Sequence, residues 1–354
     1  MANVTVWTIL EYAIKTWTSD IHITEWKPLT FRIDWKLKIM DQAWIIDSVK
    51  VKQILLELLN EDKVSVKKFL EEHDLDFAYI YKDWTSFRCN AFYKLWKISF
   101  VLRRIANEAM KIEQLWLPPA VEVFTKLKQW LILVTWPTGS GKSTSMVAIL
   151  EKINEQRGEH ILTIEDPVEF VFKDKKSVFS QREVWRDTES FSTALRAAMR
   201  EDPDIVMVWE LRDTETVKAA LELAETGHLV ISTLHTSSAV QTINRLLSFF
   251  PLNSQNAIRD KLADALKWVL SQRLIPKVWG WRIGIYELMF VNTWIKNLIR
   301  SGTMNQVQWN IETWTKYWMV TMQKFADNLR DQWLVLEKDY INYFKEDADL
   351  DVPE

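Results

Sequence analysis

The sequence contains little glycine and almost no cysteine. Its 354 residues include 7 glycines and 1 cysteine, Cys89. A single cysteine excludes a disulfide framework and a zinc site built from several cysteines. No apolar run approaches the eighteen or so residues of a membrane-spanning helix, and the first residues lack the basic start and apolar core of a secretory signal. A formal net charge of −3 provides no overall basic field for nucleic acid. We therefore expect a cytoplasmic protein without direct membrane insertion and without a nucleic-acid partner.

Tryptophan, in contrast, is unusually frequent, with 20 copies. Several follow residues that usually precede glycine in turns, as in Asp34-Trp35 and Asp83-Trp84. Tryptophan and glycine together take about the share, roughly 7%, that glycine usually takes alone. We predict that most of these tryptophans are glycine in the organism. Some bacterial lineages read the UGA codon as glycine. Translating such a gene with a genetic code that reads UGA as tryptophan would produce this sequence. The alternative is a protein with an aromatic surface. UGG codons at all of the tryptophan positions would establish this alternative.

The codon hypothesis also predicts where these indoles lie. Because the surrounding sequence still specifies turns, the side chains must go wherever the backbone leaves room. Several are expected to adopt backbone angles typical of glycine, and Trp136 is expected to crowd a phosphate-binding loop. The residues expected in turns or on the surface with poor burial are Trp17, Trp35, Trp84, Trp185 and Trp314.

The chain is long enough for two domains. The predicted boundary lies at 112–121, where Pro118 and Pro119 prevent one helix from running through. We place an N-terminal α+β domain at 1–105, a linker at 106–119 and a C-terminal domain at 120–354. In the N-terminal domain, periodicity predicts helices at 8–16 and 45–59 and short strands at 21–23, 29–33 and 86–92.

The C-terminal domain alternates apolar runs with helical stretches. This alternation predicts an α/β fold with a mostly parallel sheet, whose ligand site lies at the carboxyl ends of the strands. The predicted strands are 131–135, 161–164, 205–208, 229–233 and 282–288.

A phosphate-binding loop follows the first of these strands. The run WPTGSGKS, from Trp136 to Ser143, matches the motif G-x-x-x-x-G-K-[ST] except at its first position. Lys142 is expected to neutralise the β- and γ-phosphates of ATP, and Ser143 to bind Mg²⁺. Backbone amides at the start of the next helix would hold the phosphate oxygens. The predicted nucleotide-binding residues are Trp136, Pro137, Thr138, Gly139, Ser140, Gly141, Lys142, Ser143 and Thr144.

Acidic residues follow two further strands. The segment from Glu165 to Glu169 comes directly after strand 161–164, and Glu210 comes two residues after strand 205–208. These acids are expected near the γ-phosphate, to orient or deprotonate water or to hold Mg²⁺. His228 and His235 bracket strand 229–233, and only His235 follows its carboxyl end, where an imidazole could contact phosphate.

The ordered motifs WPTGSGKS, EDPVEF, DIVMVWELRD, AETGHLVISTLHT and WIKNLIR resemble those of the type IV pilus retraction (twitching-motility) ATPases, within the secretion ATPase superfamily. The resemblance implies a RecA-like P-loop core, a PAS-like N-terminal domain and a homohexamer. It also implies catalytic roles for Glu169, Glu210 (as Mg²⁺ ligand too) and His235, and marks Arg88 and Arg103 as arginines that act on a neighbouring subunit. The chain has tryptophan where the family has glycine at Trp26, Trp35, Trp116, Trp136, Trp209, Trp268, Trp279 and Trp281.

The resemblance predicts a motor that hydrolyses ATP with Mg²⁺ to power pilus retraction, acting on an inner-membrane platform protein and only indirectly on the pilin fibre. Two alternatives stay open. One is a pilus-assembly or type II secretion ATPase, although such relatives usually carry a four-cysteine insertion that this chain lacks. The other is an accessory subunit that binds nucleotide without hydrolysing it, which a true tryptophan at position 136 would favour. A DNA translocase is disfavoured because no basic stripe is visible.

Overall fold

The structure, a computed structural model, describes residues 4–33, 36–41, 44–82, 85–105, 109–135, 141–278, 282–314 and 318–348, with backbone only for Lys142 and for 345–348. The chain divides into two compact units. The first comprises Met1–Glu108 and Pro167–Val171, and the second Ala109–Asp166 and Phe172–Glu354. The predicted domain limits stay a prediction, and positions 106–108 of the predicted linker lie outside the described residues.

The first unit combines helices with an antiparallel sheet. The described strands are ordered β3-β2-β1-β6-β5-β4, and each neighbouring pair is antiparallel. In chain order the elements are α1 (Val6–Lys15), β1 (Asp20–Thr24), β2 (Thr30–Ile33), β3 (Lys36–Ile39), α2 (Ser48–Leu58), α3 (Lys63–Glu72), β4 (Asp74–Ile80), β5 (Ser86–Lys94) and β6 (Lys97–Arg104).

Local sequence determines where the helices of this unit begin. The Asp47 carboxylate accepts a hydrogen bond of 2.8 Å from the Lys50 amide, so α2 starts at Ser48 and not at position 45 as predicted. Thr5 caps α1 in the same way through the Thr8 amide. The apolar faces of α1 and α2 belong to the same core as buried side chains of the sheet, including Phe87.

The second unit is built around a larger sheet. Its first elements are α4 (Val121–Phe124), β7 (Trp130–Thr135), α5 (Lys142–Gln156), β8 (His160–Glu165), β9 (Val178–Glu183), α6 (Phe191–Ala198), β10 (Ile205–Val208) and α7 (Thr214–Glu225). They are followed by β11 (Leu229–Leu234), α8 (Ala239–Ser248), α9 (Gln255–Ala265), β12 (Leu266–Pro276), β13 (Arg282–Phe290), α10 (Thr293–Ser301), α11 (Asn305–Thr313), α12 (Met322–Asp331) and α13 (Glu337–Ala348).

The strands of this sheet are ordered β13-β12-β7-β11-β10-β8-β9. Every neighbouring pair is parallel except β12 with β13. All four residues of β10 and all six of β11 are buried, as expected for strands covered on both faces. The predicted mostly parallel sheet is therefore confirmed, and β9 and β12 are added to it. Among the described helices, none has the length and apolar character needed to cross a membrane.

Tryptophan occupies most of the left-handed backbone positions outside glycine. Of the thirteen non-glycine residues with positive φ in the described ranges, eight are tryptophans, with φ from 54° to 104°. This conformation costs a residue with a Cβ roughly 1–2 kcal/mol, whereas glycine adopts it freely. The eight are Trp17, Trp26, Trp96, Trp116, Trp130, Trp185, Trp318 and Trp333.

Exposure follows the same pattern. Trp17 and Trp185, predicted in turns, are 80% and 76% exposed. Trp314 departs from the pattern, since it ends α11 with φ −96° and is half-buried. Trp35 and Trp84 lie outside the described residues. The backbone therefore favours glycine at the left-handed positions, and the codon hypothesis stays a prediction.

Two tryptophans that stand where the resemblance implies glycine are buried instead. Trp268 packs against Phe124 and Phe290, with ring centroids 5.2 Å and 4.7 Å away. Its indole Nε1 is buried without a hydrogen-bond partner among the described residues, although buried indoles usually find one. Trp209 is also buried, directly before Glu210. At Trp268, therefore, burial of the indole leaves its N–H donor without a hydrogen bond to any described residue, which is unfavourable.

Replacing Trp185 and Trp333 by glycine is expected to raise the melting temperature. Relief of the left-handed backbone strain stabilises the fold by roughly 1–2 kcal/mol per residue. This gain exceeds the loss of about 0.4–1 kcal/mol that glycine causes by raising the conformational entropy of the unfolded chain. Trp309→Gly is the matched control: it removes a 61% exposed indole from the middle of α11, where glycine costs about 1 kcal/mol. Thermal melting should show opposite shifts, and shifts of the same sign at both kinds of position would contradict the strain argument.

Candidate active site

Four parallel strands of the second unit end at the same edge of the sheet. Leu234 at the end of β11 pairs with Thr135 at the end of β7. Val208 at the end of β10 pairs with Ile164 of β8, and β10 is also paired in parallel with β11. Whatever follows these strands therefore meets at the carboxyl edge, where parallel sheets bind ligands.

The predicted phosphate loop leaves β7 at this edge and enters α5. Residues 136–140 lie outside the described residues, so the expected crowding by Trp136 stays a prediction. Gly141 caps α5 with φ 79°, and a Cβ there would lie 3.3 Å from Leu274 Cδ1, so this position favours glycine. Lys142 begins the helix, and Ser143 and Thr144 follow, half-buried, in its first turn. The first amides of a helix lack acceptors within it and attract anions.

Strand β12 supports both sides of this loop through buried polar side chains. The hydroxyls of Thr135, the last residue of β7, and Ser271 are 2.9 Å apart. Ser145 in α5 donates a hydrogen bond of 2.7 Å to Gln272 Oε1. Both contacts are buried, so they fix the end of β7 and the start of α5 relative to β12.

Glu210 and His235 meet at the carboxyl edge. Glu210 follows β10 and His235 follows β11, and the distance from His235 Nε2 to Glu210 Oε1 is 3.5 Å. The Glu210 side chain is 13% exposed and that of His235 is 38% exposed. His228 lies at the opposite end of β11, where its Nδ1 is 3.0 Å from the Leu223 carbonyl oxygen. The structure thus brings together the two predicted residues and separates His228 from them.

Arg212, which the sequence did not single out, contacts two acids of this edge. Its Nε donates to Glu210 Oε2 at 2.8 Å, and its Nη1 donates to Asp166 Oδ2 at 3.2 Å. Burial acts to lower the pKa of the Arg212 guanidinium, but the Glu210 and Asp166 carboxylates more than offset this effect and raise it. The two carboxylates and the guanidinium therefore form a small charged cluster at the ends of β8 and β10.

Glu165, the first acid after strand 161–164, takes a structural position. It is buried, and its Oε1 accepts hydrogen bonds from Thr163 Oγ1 at 2.6 Å and Gln181 Nε2 at 3.0 Å. The two donors satisfy the buried carboxylate, and the bond from Gln181 connects β9 with β8. Asp166 is the next residue, and it contributes to the cluster at the carboxyl edge through Arg212.

The remaining predicted catalytic residues belong to the first unit. Glu169, in the segment Pro167–Val171, accepts a hydrogen bond of 3.3 Å from Arg88 Nη1. Arg103 Nε donates to Asp20 Oδ1 at 2.8 Å, while most of the Arg103 side chain is exposed. The hydrogen bonds and charge of Arg103, together with Ser19, lower the pKa of Asp20 although burial acts to raise it. Both arginines thus have carboxylate partners within their own chain.

Comparison with known proteins identifies the family. Residues 3–329 match the family described as Type II/IV secretion system protein. The chain belongs to this family. It is 38% identical over 314 residues to the Pseudomonas aeruginosa protein named type IV pilus retractation ATPase PilT. The aligned region covers 89% of this chain and 90% of that protein. A Neisseria gonorrhoeae twitching motility protein is 38% identical over 270 residues, or 76% of this chain and 72% of that protein.

The structure agrees with these matches. A crystal structure of the pilus retraction motor PilT with bound ADP has a TM-score of 0.88 and 40% sequence identity, covering 96% of this chain and 97% of that one. The predicted fold class, an α/β RecA-like P-loop ATPase core with an N-terminal α+β domain, is confirmed. The chain is a secretion ATPase of the PilT type that binds nucleotide.

A buried acid of the secretion ATPase core holds the segment that follows His235. Helix α8 begins four residues after His235, and its first amide, that of Ala239, donates 2.8 Å to Glu287 Oε1 in β13. Burial raises the pKa of the Glu287 carboxyl, and the charge of Glu312 acts in the same direction, while Arg273 and the Ala239 amide oppose them. The folded protein therefore binds a proton at Glu287 more tightly than the unfolded chain.

This shift predicts a pH-dependent stability. A raised pKa favours the fold where the carboxyl is protonated, so the contribution of Glu287 to stability is greatest below the ordinary pKa of glutamate, about 4.3, and is lost as the pH rises through the folded value. Glu287→Gln keeps an acceptor for Ala239 and should reduce the loss of melting temperature between pH 5 and pH 8. The exposed Glu215→Gln is the control and should leave the slope unchanged. Equal slopes in all three proteins would refute the assignment.

Proposed function

We propose that this secretion ATPase is the motor subunit that powers retraction of type IV pili. The observation that carries the proposal is the meeting of the phosphate-loop strand with Glu210 and His235 at one edge of a parallel sheet. The retraction ATPase named among its relatives, similar over 89% of the chain, supports the same activity. The motor would work at the cytoplasmic side of the membrane, through a platform protein of the pilus machinery.

Hydrolysis is assigned to residues of the second unit. Lys142 would neutralise the β- and γ-phosphates, and the amides at the start of α5 would hold the phosphate oxygens. Glu210 would orient or deprotonate the attacking water, and His235 would contact the γ-phosphate from the neighbouring strand. Attack of that water on the γ-phosphorus would release ADP and inorganic phosphate.

Mg²⁺ is expected to accompany ATP. In the described part of the chain, no three His, Cys, Asp or Glu side chains are grouped to hold a metal ion. Mg²⁺ bound with a nucleotide takes most of its ligands from phosphates and water, with one or two protein oxygens. The hydroxyl of Ser143 and the carboxylate of Glu210 fit that need, since both are oxygen ligands and both follow strands that end at the carboxyl edge. The ion would neutralise charge that develops on the phosphates.

A homohexamer would complete the site. Arg88 and Arg103 would supply positive charge to the nucleotide of a neighbouring subunit, and Glu169 would take part in catalysis. Their pairs with Glu169 and Asp20 within one chain give each arginine a defined position. An arginine supplied across a subunit interface can be withheld until the interface closes, which would couple hydrolysis to movement around the ring.

An ATPase assay tests the site. Lys142→Ala is expected to lower turnover at least about 100-fold, because it removes charge from the transferred phosphate. Glu210→Gln should lower kcat by a similar factor and leave binding of a fluorescent ATP analogue nearly unchanged, since it alters the hydrolytic step. Lys152→Ala, on the same helix as Lys142, and Glu222→Gln, on α7, are controls and should keep normal turnover. Normal turnover in either site variant would remove the assignment, whereas nucleotide binding without turnover in the unchanged protein would favour the accessory, non-hydrolysing alternative.

Mixed rings test the action across subunits. Rings that combine Arg88→Ala with Lys142→Ala subunits, or Arg103→Ala with Lys142→Ala, should recover part of the lost activity. Recovery occurs where an intact Lys142 of one subunit meets an intact arginine of the next. Ring assembly is checked by light scattering at each mixing ratio. Assembled rings without recovery at any ratio would count against arginines acting on a neighbour.

A further inference from the structure

The backbone around Glu210 is fixed on both sides by neighbouring strands. The Trp209 amide donates 2.9 Å to the carbonyl oxygen of Ile164 in β8. The Trp209 carbonyl oxygen accepts a short hydrogen bond from the hydroxyl of Thr233 in β11. The Leu211 amide donates 3.1 Å to the Thr233 carbonyl oxygen. Because these bonds hold the main chain on both sides of Glu210, its side-chain torsions decide where the carboxylate points.

Arg212 restricts those torsions. Its Nε holds Glu210 Oε2 at 2.8 Å, whereas the other oxygen, Oε1, is the one that lies 3.5 Å from His235 Nε2. The two oxygens of the carboxylate are therefore distinguished, one bound to the guanidinium and one turned toward the histidine. A charge-assisted bond of this kind is about twice as strong as a neutral one.

The guanidinium is itself held in place. Its Nη1 donates 3.2 Å to Asp166 at the end of β8, and its Cζ lies 5.8 Å from the ring of Phe191, the first residue of α6. Together with the bond to Glu210, these contacts fix both the position of the guanidinium and the orientation of its plane. Asp166 is the anchor among them, because it provides the second charge.

We propose that Arg212 is a positioning residue for ATP hydrolysis, which orients Glu210 toward His235 and is anchored by Asp166. The proposal rests on the assigned role of Glu210. Arg212 acts through Glu210 and needs no contact with the nucleotide. A half-exposed ion pair that served only stability would contribute about 0–1 kcal/mol and would leave turnover unchanged.

Steady-state ATPase measurements on the full chain test the proposal. Arg212→Gln should lower kcat about 10- to 100-fold, the usual effect of losing a group that orients a catalytic or metal-binding carboxylate. Affinity for a fluorescent ATP analogue should change less than about twofold, because the phosphate loop supplies most of the binding. Arg212→Lys keeps the positive charge but loses the planar double contact, so its kcat should lie between that of Arg212→Gln and that of the unchanged protein. Asp166→Asn should lower kcat less than Arg212→Gln does.

Arg330→Gln is the matched control. Arg330 also bridges acids, with 3.4 Å to Asp327 and 3.6 Å to Glu337, and its Cζ lies 4.7 Å from the ring of Tyr340. It has the same chemistry as Arg212 but lies in α12 and contacts residues of α13. Turnover of Arg330→Gln should stay within about twofold of normal.

A double variant separates positioning from a general structural effect. If Arg212 acts through Glu210, adding Arg212→Gln to Glu210→Gln should lower the residual single-turnover rate by less than about twofold, because residues that act as a unit are not additive. The proposal is overturned by normal kcat in Arg212→Gln and Arg212→Lys, by a full additional loss in the double variant, or by an equal loss of ATP affinity. These results are distinct from failure of the proposed function, which would appear as normal turnover in Lys142→Ala and Glu210→Gln.

Discussion

The parallel pairing of β7, β11, β10 and β8 is the constraint on which the active site depends. Parallel strands in register end together, so the phosphate loop, His235, Glu210 and Asp166 arrive at one edge although up to a hundred residues of sequence separate them. Buried hydroxyl contacts such as that of Ser232 with the Val208 carbonyl oxygen, at 2.8 Å, hold the strand ends together. A shift in this register would separate the groups to which we assign hydrolysis.

Much of the core could be predicted from the sequence, because buried parallel strands are continuous apolar runs. Strand β10 was predicted with its exact residues, and the loop motif located the start of α5. Strand β12 was missed because Ser271 and Gln272 interrupt its apolar run, and these residues form hydrogen bonds with Thr135 at the end of β7 and Ser145 in α5. Helix α3 was missed because Phe69 is its only buried residue, too little for a helical pattern.

The charged cluster could not be predicted in the same way. Arg212 contacts Asp166, 46 residues earlier in the chain, only because β8 and β10 are neighbours in the sheet. The sequence predicts that the acids after these strands lie near one ligand, but it does not indicate that Arg212 bridges Asp166 and Glu210. The left-handed tryptophans are the opposite case, since a turn context in the sequence was enough to locate Trp17 and Trp185. Local backbone conformation can thus be predicted from a few neighbouring residues, whereas the contacts of the site depend on the order of the strands in the sheet.

Imaging of labelled pili tests the central claim, that this ATPase powers retraction, most directly. Cells that lack the gene should extend pili and fail to withdraw them, and a plasmid copy of the gene should restore withdrawal while a Lys142→Ala copy should not. Retraction at the normal frequency without the gene would contradict the claim. Complete loss of pili in those cells would instead indicate an ATPase of pilus assembly.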